Sequence, residues 1–212
     1  MNLIDLKVNE FINEVDSNSP APGGGSVSAL AASLGVGLSR MVSHLTFNKK
    51  KFLELDEKIR TQYEDNFITL NNIKEELIPL IDKDTYAFNQ IMNAFKMSKE
   101  TDEDKQKRIE AIEKATLEAI KVPYEVARLS YKALELVEKM MTYGNKNAIS
   151  DIGVGCLLLY AGLEGALLNV KINIGGLSDA EMVKVYQSSY ETLLHEGKEL
   201  KEKILEFVHS KL

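Results

Sequence analysis

Two stretches of this chain are apolar around almost their whole circumference, and they constrain its fold more than any other feature. One runs from Ser26 to Thr46 and is built of small and aliphatic residues. The other runs from Ile152 to Val170, with Glu164 as its only charge. A helix without a wide polar face belongs in a bundle core, in a subunit interface or in a membrane. The length of the second stretch would permit a membrane span. Against that stand Glu164 near its middle, where a carboxylate is costly, and Gly153, Gly155, Gly162 and Gly165, which thin its apolar surface.

Most of the remaining chain has the period of amphipathic helices. Ile4, Val8, Phe11, Ile12 and Val15 share one face. The spacing predicts a helix from about Phe52 to Phe95, kinked or broken at Pro79, and another from Thr101 to about Tyr143, interrupted near Pro123. Thr101 and Asp104 form a capping pair at the start of the latter. A last helix opens at Ser178, with Asp179 and Glu181 in its first turn, where the dipole favours acids. Strand patterns are nearly absent. Val170–Ile174 could be extended, but it also completes the helix that begins near Ser150. The expected fold is all-α: one helical bundle over residues 1–212, with long kinked helices around the two apolar ones. Those two are the candidates for the core or for a dimer seam.

A net charge of −6 argues against a general nucleic-acid or anionic-membrane binder. Cys156 is the only cysteine, which rules out an internal disulfide and the usual cysteine zinc sites. Nothing in the sequence suggests a metal. The first residues show no signal-peptide pattern, so the expected location is cytoplasmic.

Pro22-Gly23-Gly24-Gly25-Ser26 leads into the first apolar stretch. Glycines admit positive φ and let a ligand approach the backbone. The helix that follows presents unpaired N–H groups. Such a junction suits a carboxylate, a phosphate or a polar heterocycle. The alternative is a tight turn with Ser26 as N-cap. Further along, Leu77, Ile81, Asp84, Phe88, Ile91 and Phe95 form a helical seam with a carboxylate in its middle. Asp82 falls on a more polar line with Ile78, Thr85 and Asn89. Asp84 is therefore the acid expected to be buried, and burial raises a carboxylate's pKa. That makes it a candidate general acid or base. A structural aspartate paired with a basic residue or a backbone amide is the alternative.

A second polar cluster holds Asn145, Asn147, Ser150 and Asp151. It either caps the second apolar helix, through Ser150 or Asp151, or reads a polar heterocycle. Asn169 and Asn173 stand one turn apart near that helix's far end, as capping groups or ligand contacts. Lys49, Lys50 and Lys51 follow the first apolar helix, as a solvated dipole complement or as a receptor for an anionic tail. His44 reads as a satisfied polar residue, and His195 and His209 take no role. No Ser-His-Asp set, Cys-His set or Walker loop occurs.

Taken in order, these motifs resemble the cyclodeaminase domain of formiminotransferase-cyclodeaminase and the stand-alone methenyltetrahydrofolate cyclohydrolases of the same fold. The matching residues are Pro22 to Val27, Leu45-Thr46 with the lysines after it, and Leu80-Ile81-Asp82-Lys83-Asp84-Thr85-Tyr86-Ala87-Phe88. Val122-Pro123, the segment from Gly144 to Asp151, and Asn169-Val170 with Ile172-Asn173 complete the set. The 212 residues leave no room for a formiminotransferase half. The resemblance implies an all-α homodimer with no permanently bound cofactor and a tetrahydrofolate derivative, with one glutamate or polyglutamylated, as substrate. It implies proton donation by an aspartate of the Asp82–Asp84 pair, and the seam favours Asp84. Asp151 would stabilise cationic charge. Pro22, Gly23, Gly24, Gly25, Ser26, Asn145, Asn147, Ser150 and Asn169 would hold the substrate, and Lys49 and Lys50 its glutamate tail. The implied reaction is cyclisation of 5-formiminotetrahydrofolate with loss of ammonia. The alternatives are cyclohydrolysis of 5,10-methenyltetrahydrofolate at the same site, and an inert helical dimerisation module.

Overall fold

A computed structural model describes residues 2–212. It holds seven α-helices and no strand among the described residues. A short 3-10 turn at Leu3–Asp5 precedes α1 (Val8–Val15). Then come α2 (Gly24–Phe47), α3 (Lys50–Leu53), α4 (Glu57–Phe95) and α5 (Asp102–Met140). Two 3-10 turns, Met141–Tyr143 and Lys146–Ala148, lead into α6 (Ile149–Ile174), and α7 (Ala180–His209) closes the chain.

The two apolar stretches become α2 and α6, which pack antiparallel at the centre. Gly24 at the start of α2 lies beside Asn169 near the end of α6. Asn145, just before α6, donates its backbone N–H to Thr46 Oγ1 at the end of α2, at 2.8 Å. Between these ends the backbones come unusually close. A Cβ on Gly35 would sit 2.8 Å from the Gly155 carbonyl oxygen, and one on Gly162 would sit 2.8 Å from both Ala32 Cβ and the Ser28 carbonyl oxygen. Glycine is required at such positions because any side chain would meet backbone that cannot yield. Ser39, Ser43 and Thr46 of α2 are buried without penalty, since each hydroxyl donates to the carbonyl four residues earlier.

Around this pair α4, α5 and α7 supply the large aliphatic residues. Leu70, Leu77, Ile120, Leu134 and Ile204 are fully buried, as are Leu159, Leu163 and Leu167 of α6. By length and composition α2 and α6 could each cross a membrane, yet half of each apolar window is buried in this bundle. The other face stays open: Val27, Leu34, Met41 and Leu45 on α2, and Val154, Leu157, Leu168 and Ile172 on α6, are exposed.

Several boundaries differ from the sequence-based expectation. The helix expected from Phe52 to Phe95 is two, because Asp56 caps α4 anew by accepting the Lys58 N–H at 2.9 Å. Neither Pro79 nor Pro123 breaks its helix, and α4 and α5 each run 39 residues through them. Packing on both sides of these prolines outweighs the one hydrogen bond each removes. The Thr101–Asp104 capping box forms as expected. Asp179 is the N-cap of α7 rather than a first-turn residue, accepting from Glu181 and Met182. The N-cap of α6 is Ala148, so Ser150 and Asp151 lie inside its first turn and neither caps it. On α1 only Phe11 is buried, while Val8, Ile12 and Val15 face outward. His44 is exposed, edge-on to Phe67 at 4.9 Å between ring centroids.

The α2–α6 contact gives a direct stability test. Gly35→Val places branched carbon where the Gly155 carbonyl stands, and should destabilise the fold by about 2 kcal/mol or more. Chemical denaturation followed by far-UV circular dichroism measures it.

Candidate active site

The amino end of α2 is where the chain gathers its most unusual polar arrangement. Gly23 is the N-cap, so Gly24, Gly25 and Ser26 occupy the first three helical positions. No glycine among the described residues has positive φ, contrary to one expectation for this loop. Close approach is the reason at Gly25: a Cβ there would fall inside the Asp84 carboxyl group. At Gly24 an added Cβ would meet Asn169 Nδ2 at 3.2 Å.

Asp84 reaches this point from the middle of α4. Its Oδ2 accepts the Ser26 backbone N–H at 2.9 Å and lies 3.4 Å from the Ser26 hydroxyl. An N-terminal N–H that helix geometry leaves unpaired is thus taken by the chain's own carboxylate. Ser26 is wholly buried and is the N3 residue rather than the N-cap. Its hydroxyl donates to the Ile81 carbonyl at 2.7 Å and lies 3.1 Å from Thr85 Oγ1. Expected among the substrate contacts, Ser26 instead spends its polar atoms inside the protein. Burial pushes the Asp84 carboxyl above its ordinary pKa, and the Ser26 N–H and hydroxyl pull back against that rise. The seam reading of Asp84 as the inward-facing acid agrees with this placement.

Asp82 has a different environment. Its carboxylate accepts from the Leu3 N–H at 2.5 Å and the Ile4 N–H at 3.4 Å, holding the N-terminal 3-10 turn against α4. Asn169 Nδ2 donates to the Gly165 carbonyl at 2.8 Å within its own helix, which leaves its Oδ1 beside Gly24. Asn173 Nδ2 donates to the Ala119 carbonyl at 2.8 Å and ties α6 to α5.

The other site residues lie at the far end of α2. An open cavity of about 420 Å³ is lined by Thr46, Lys49, Lys50, Lys51, Asn145, Lys146 and Asn147, among others. Asn145 donates to the Leu45 carbonyl at 3.2 Å and its Oδ1 accepts the Asn147 N–H at 3.1 Å. Ser150 and Asp151 follow in the first turn of α6. Four lysines around one concavity make it a receptor for anionic groups. The span from Gly24 to Thr46 is about 33 Å at the helical rise. Within one chain, then, Gly23–Ser26, Asp84 and Asn169 form one cluster, and Lys49, Lys50, Asn145, Asn147, Ser150 and Asp151 belong to another. Sequence order gave no sign of this separation, because the antiparallel pairing of α2 and α6 decides it.

A third concavity, an open groove of about 620 Å³ between α4 and α5, is lined by Lys83, Tyr86, Gln90 and Lys114 with Ala87 and Ala115 on its floor. Among the described residues no group of three or more His, Cys, Asp or Glu side chains is placed to hold a metal ion. The contrast between the two aspartates is testable. Asp82→Ala removes two accepted N–H bonds and should lower stability by about 1 kcal/mol, measured by thermal unfolding.

Comparison with known proteins adds independent findings. The family model described as formiminotransferase-cyclodeaminase matches residues 7–192. A methenyltetrahydrofolate cyclohydrolase from Methylorubrum extorquens is 35% identical over 205 residues, covering 97% of both chains. The formimidoyltransferase-cyclodeaminase of Gallus gallus is 33% identical over 198 residues, covering 93% of this chain and 36% of that longer protein. The crystal structure of formiminotetrahydrofolate cyclodeaminase from Thermotoga maritima superposes with a TM-score of 0.83 at 25% identity, covering 97% of this chain and 96% of that one. With its fold, its ordered motifs and these relatives in agreement, the chain belongs to the formiminotransferase-cyclodeaminase family.

Proposed function

We propose that this chain is a folate one-carbon enzyme that cyclises 5-formiminotetrahydrofolate to 5,10-methenyltetrahydrofolate with release of ammonia, and that Asp84 supplies the proton. The observation that carries this reading is a lone carboxylate of raised proton affinity, fixed on the amino end of α2 beside the glycine loop. The chemistry calls for such a group. N10 of the folate attacks the formimino carbon on N5, and its own proton passes to the formimino nitrogen. That nitrogen leaves as ammonia only after a second proton reaches it, and a carboxyl whose proton affinity is raised by burial can deliver one. The C–N bond to ammonia breaks as the N5–C–N10 amidinium cation forms. A nearby carboxylate then lowers the energy of that cation, a role open to Asp151 of a second copy, because Asp151 lies at the other end of α2 from Asp84 in its own chain.

The cyclohydrolase reaction runs on the same product. Water attacks the methenyl carbon, a proton leaves, and ring opening gives 10-formyltetrahydrofolate. A methenyltetrahydrofolate cyclohydrolase stands among the relatives beside cyclodeaminases, which supports this second reading no more strongly than the first. The two reactions ask opposite things of Asp84, acid in one and base in the other. As pH rises through the raised pKa of Asp84, deamination should fall and hydrolysis should rise. Following the methenyl chromophore from each substrate across pH separates them. Asp84→Asn should lower kcat by at least about 100-fold in either direction with folate affinity retained. Near-normal turnover in that variant would remove Asp84 from the chemistry.

The acting form is proposed to be a homodimer. The open apolar faces of α2 and α6 support a two-fold pairing, since large exposed apolar patches mark interaction surfaces. A two-fold axis crossing the middle of α2 would set the lysine-rich end of one copy against the Asp84 end of its partner. That pairing joins the two clusters which one chain holds apart, and it would let the lysine cavity receive a folate glutamate tail or a longer polyglutamate. Complementation tests it. Asp84→Asn and the double variant Lys49→Glu/Lys50→Glu should each be nearly inactive. Reassembled together, they should recover roughly a quarter of wild-type sites, because half the dimers are mixed and each holds one intact site. No recovery on mixing would contradict a shared site.

A further inference from the structure

Ser26 is wholly buried and bonds to the turn of α4 that carries Asp84. Three of its partners lie on one turn of α4. Its hydroxyl donates to the Ile81 carbonyl at 2.7 Å, Thr85 Oγ1 lies 3.1 Å from that hydroxyl, and its backbone N–H donates to Asp84 Oδ2 at 2.9 Å. A hydroxyl has a single proton. The shorter bond to Ile81 takes it, so the 3.4 Å contact with Asp84 Oδ2 is secondary. The side chain therefore serves mainly to hold the start of α2 in fixed register with α4, which keeps the Ser26 N–H on Oδ2.

The two carboxyl oxygens consequently differ. Oδ2 accepts the helix N–H, whereas Oδ1 takes no hydrogen bond among the described residues. Oδ1 rests over Gly25, in space that any other residue would fill with its Cβ. A carboxyl group that accepts through one oxygen keeps its proton on the other.

Building on the assignment of Asp84 as the acid, we infer that Ser26 is a positioning residue that anchors α2 to the Ile81 carbonyl and so makes Oδ1 of Asp84, above Gly25, the atom that carries and delivers the proton. Proton transfer needs donor and acceptor within about 3 Å. A misplacement of 1 Å can cost about 100-fold in rate. The anchor thus acts on turnover and not on substrate affinity. No cation stands among the influences on Asp84; burial raises its proton affinity, and the Ser26 backbone N–H, with the weaker 3.4 Å hydroxyl contact, opposes that rise. Both Ser26 contacts favour the ionised form, so loosening them should move the Asp84 titration upward.

Three readouts on Ser26→Ala test the inference. The Asp84 carboxyl is titrated by ¹³C NMR in the ligand-free protein, and kcat and KM are measured with 5-formiminotetrahydrofolate and with 5,10-methenyltetrahydrofolate. The expected result is an Asp84 titration shifted upward, kcat reduced about 10- to 100-fold, and KM unchanged within about twofold. Ser26→Cys keeps the shape of the side chain with weaker hydrogen bonds. It should give an intermediate titration and kcat, and it decides the question if Ser26→Ala does not fold. An unshifted titration with wild-type kcat would overturn the inference, as would a raised KM with kcat intact, which would make Ser26 a substrate contact. Because the NMR titration needs no substrate, it judges the positioning even if Asp84→Asn shows that another group donates the proton.

Discussion

The close antiparallel contact of α2 and α6 is the constraint on which the rest of the molecule depends. Glycines at 35, 155 and 162 let two backbones meet where any side chain would collide with a carbonyl or a neighbouring Cβ. Contact of this kind leaves little freedom in axial position, because small residues on one helix must face small residues on the other. Once that register is set, Asn169 stands at the amino end of α2 and Asn145 at its carboxyl end. Helices α4, α5 and α7 then close over the buried side of the pair, and the opposite side remains a broad apolar surface.

The same contact explains why one aspartate of α4 differs from another two residues away. Side chains two apart point about 200° around a helix from each other. Asp82 turns toward the N-terminal segment and fastens it. Asp84 turns toward the start of α2, where a helix N–H meets it and burial disfavours its charge. Two opposing forces act on one group. The helix end favours the carboxylate, burial favours the acid, and burial prevails. A group so balanced holds a proton to higher pH than an exposed aspartate would, whereas one in an ion pair would hold its charge more firmly.

Much of this was legible in the residues themselves. The all-round apolar stretch found α2, the Thr-x-x-Asp pattern found the Thr101–Asp104 cap, and the helical period found the inward-facing Asp84, because each rests on local sequence. Signals that depend on tertiary packing were less readable. Pro79 and Pro123 are tolerated within continuous helices because surrounding side chains hold them. The new cap at Asp56 was hidden by apolar residues on both sides of it. The glycine loop carried a correct signal with a different cause. Its residues give room to an internal carboxylate instead of adopting left-handed backbone. Ser26 was singled out from its place in that loop, but only its burial and its bonds to α4 distinguish an internal anchor from a ligand contact. The division of the polar motifs between the two ends of α2 follows from helix direction, which no local pattern records.

That division gives the account its central claim: chemistry at the Asp84 end of one copy, with the lysine-rich end of a second copy completing the site. The most direct measurement is a crystal structure of the protein with 5-formyltetrahydrofolate, a stable folate carrying its one-carbon unit on N5. The account predicts this carbon's substituent within hydrogen-bond distance of Asp84 Oδ1, and the glutamate carboxylates of the same ligand against Lys49 and Lys50 of a second copy. A ligand held wholly within one chain, or one bound with its N5 group remote from Asp84, would contradict it.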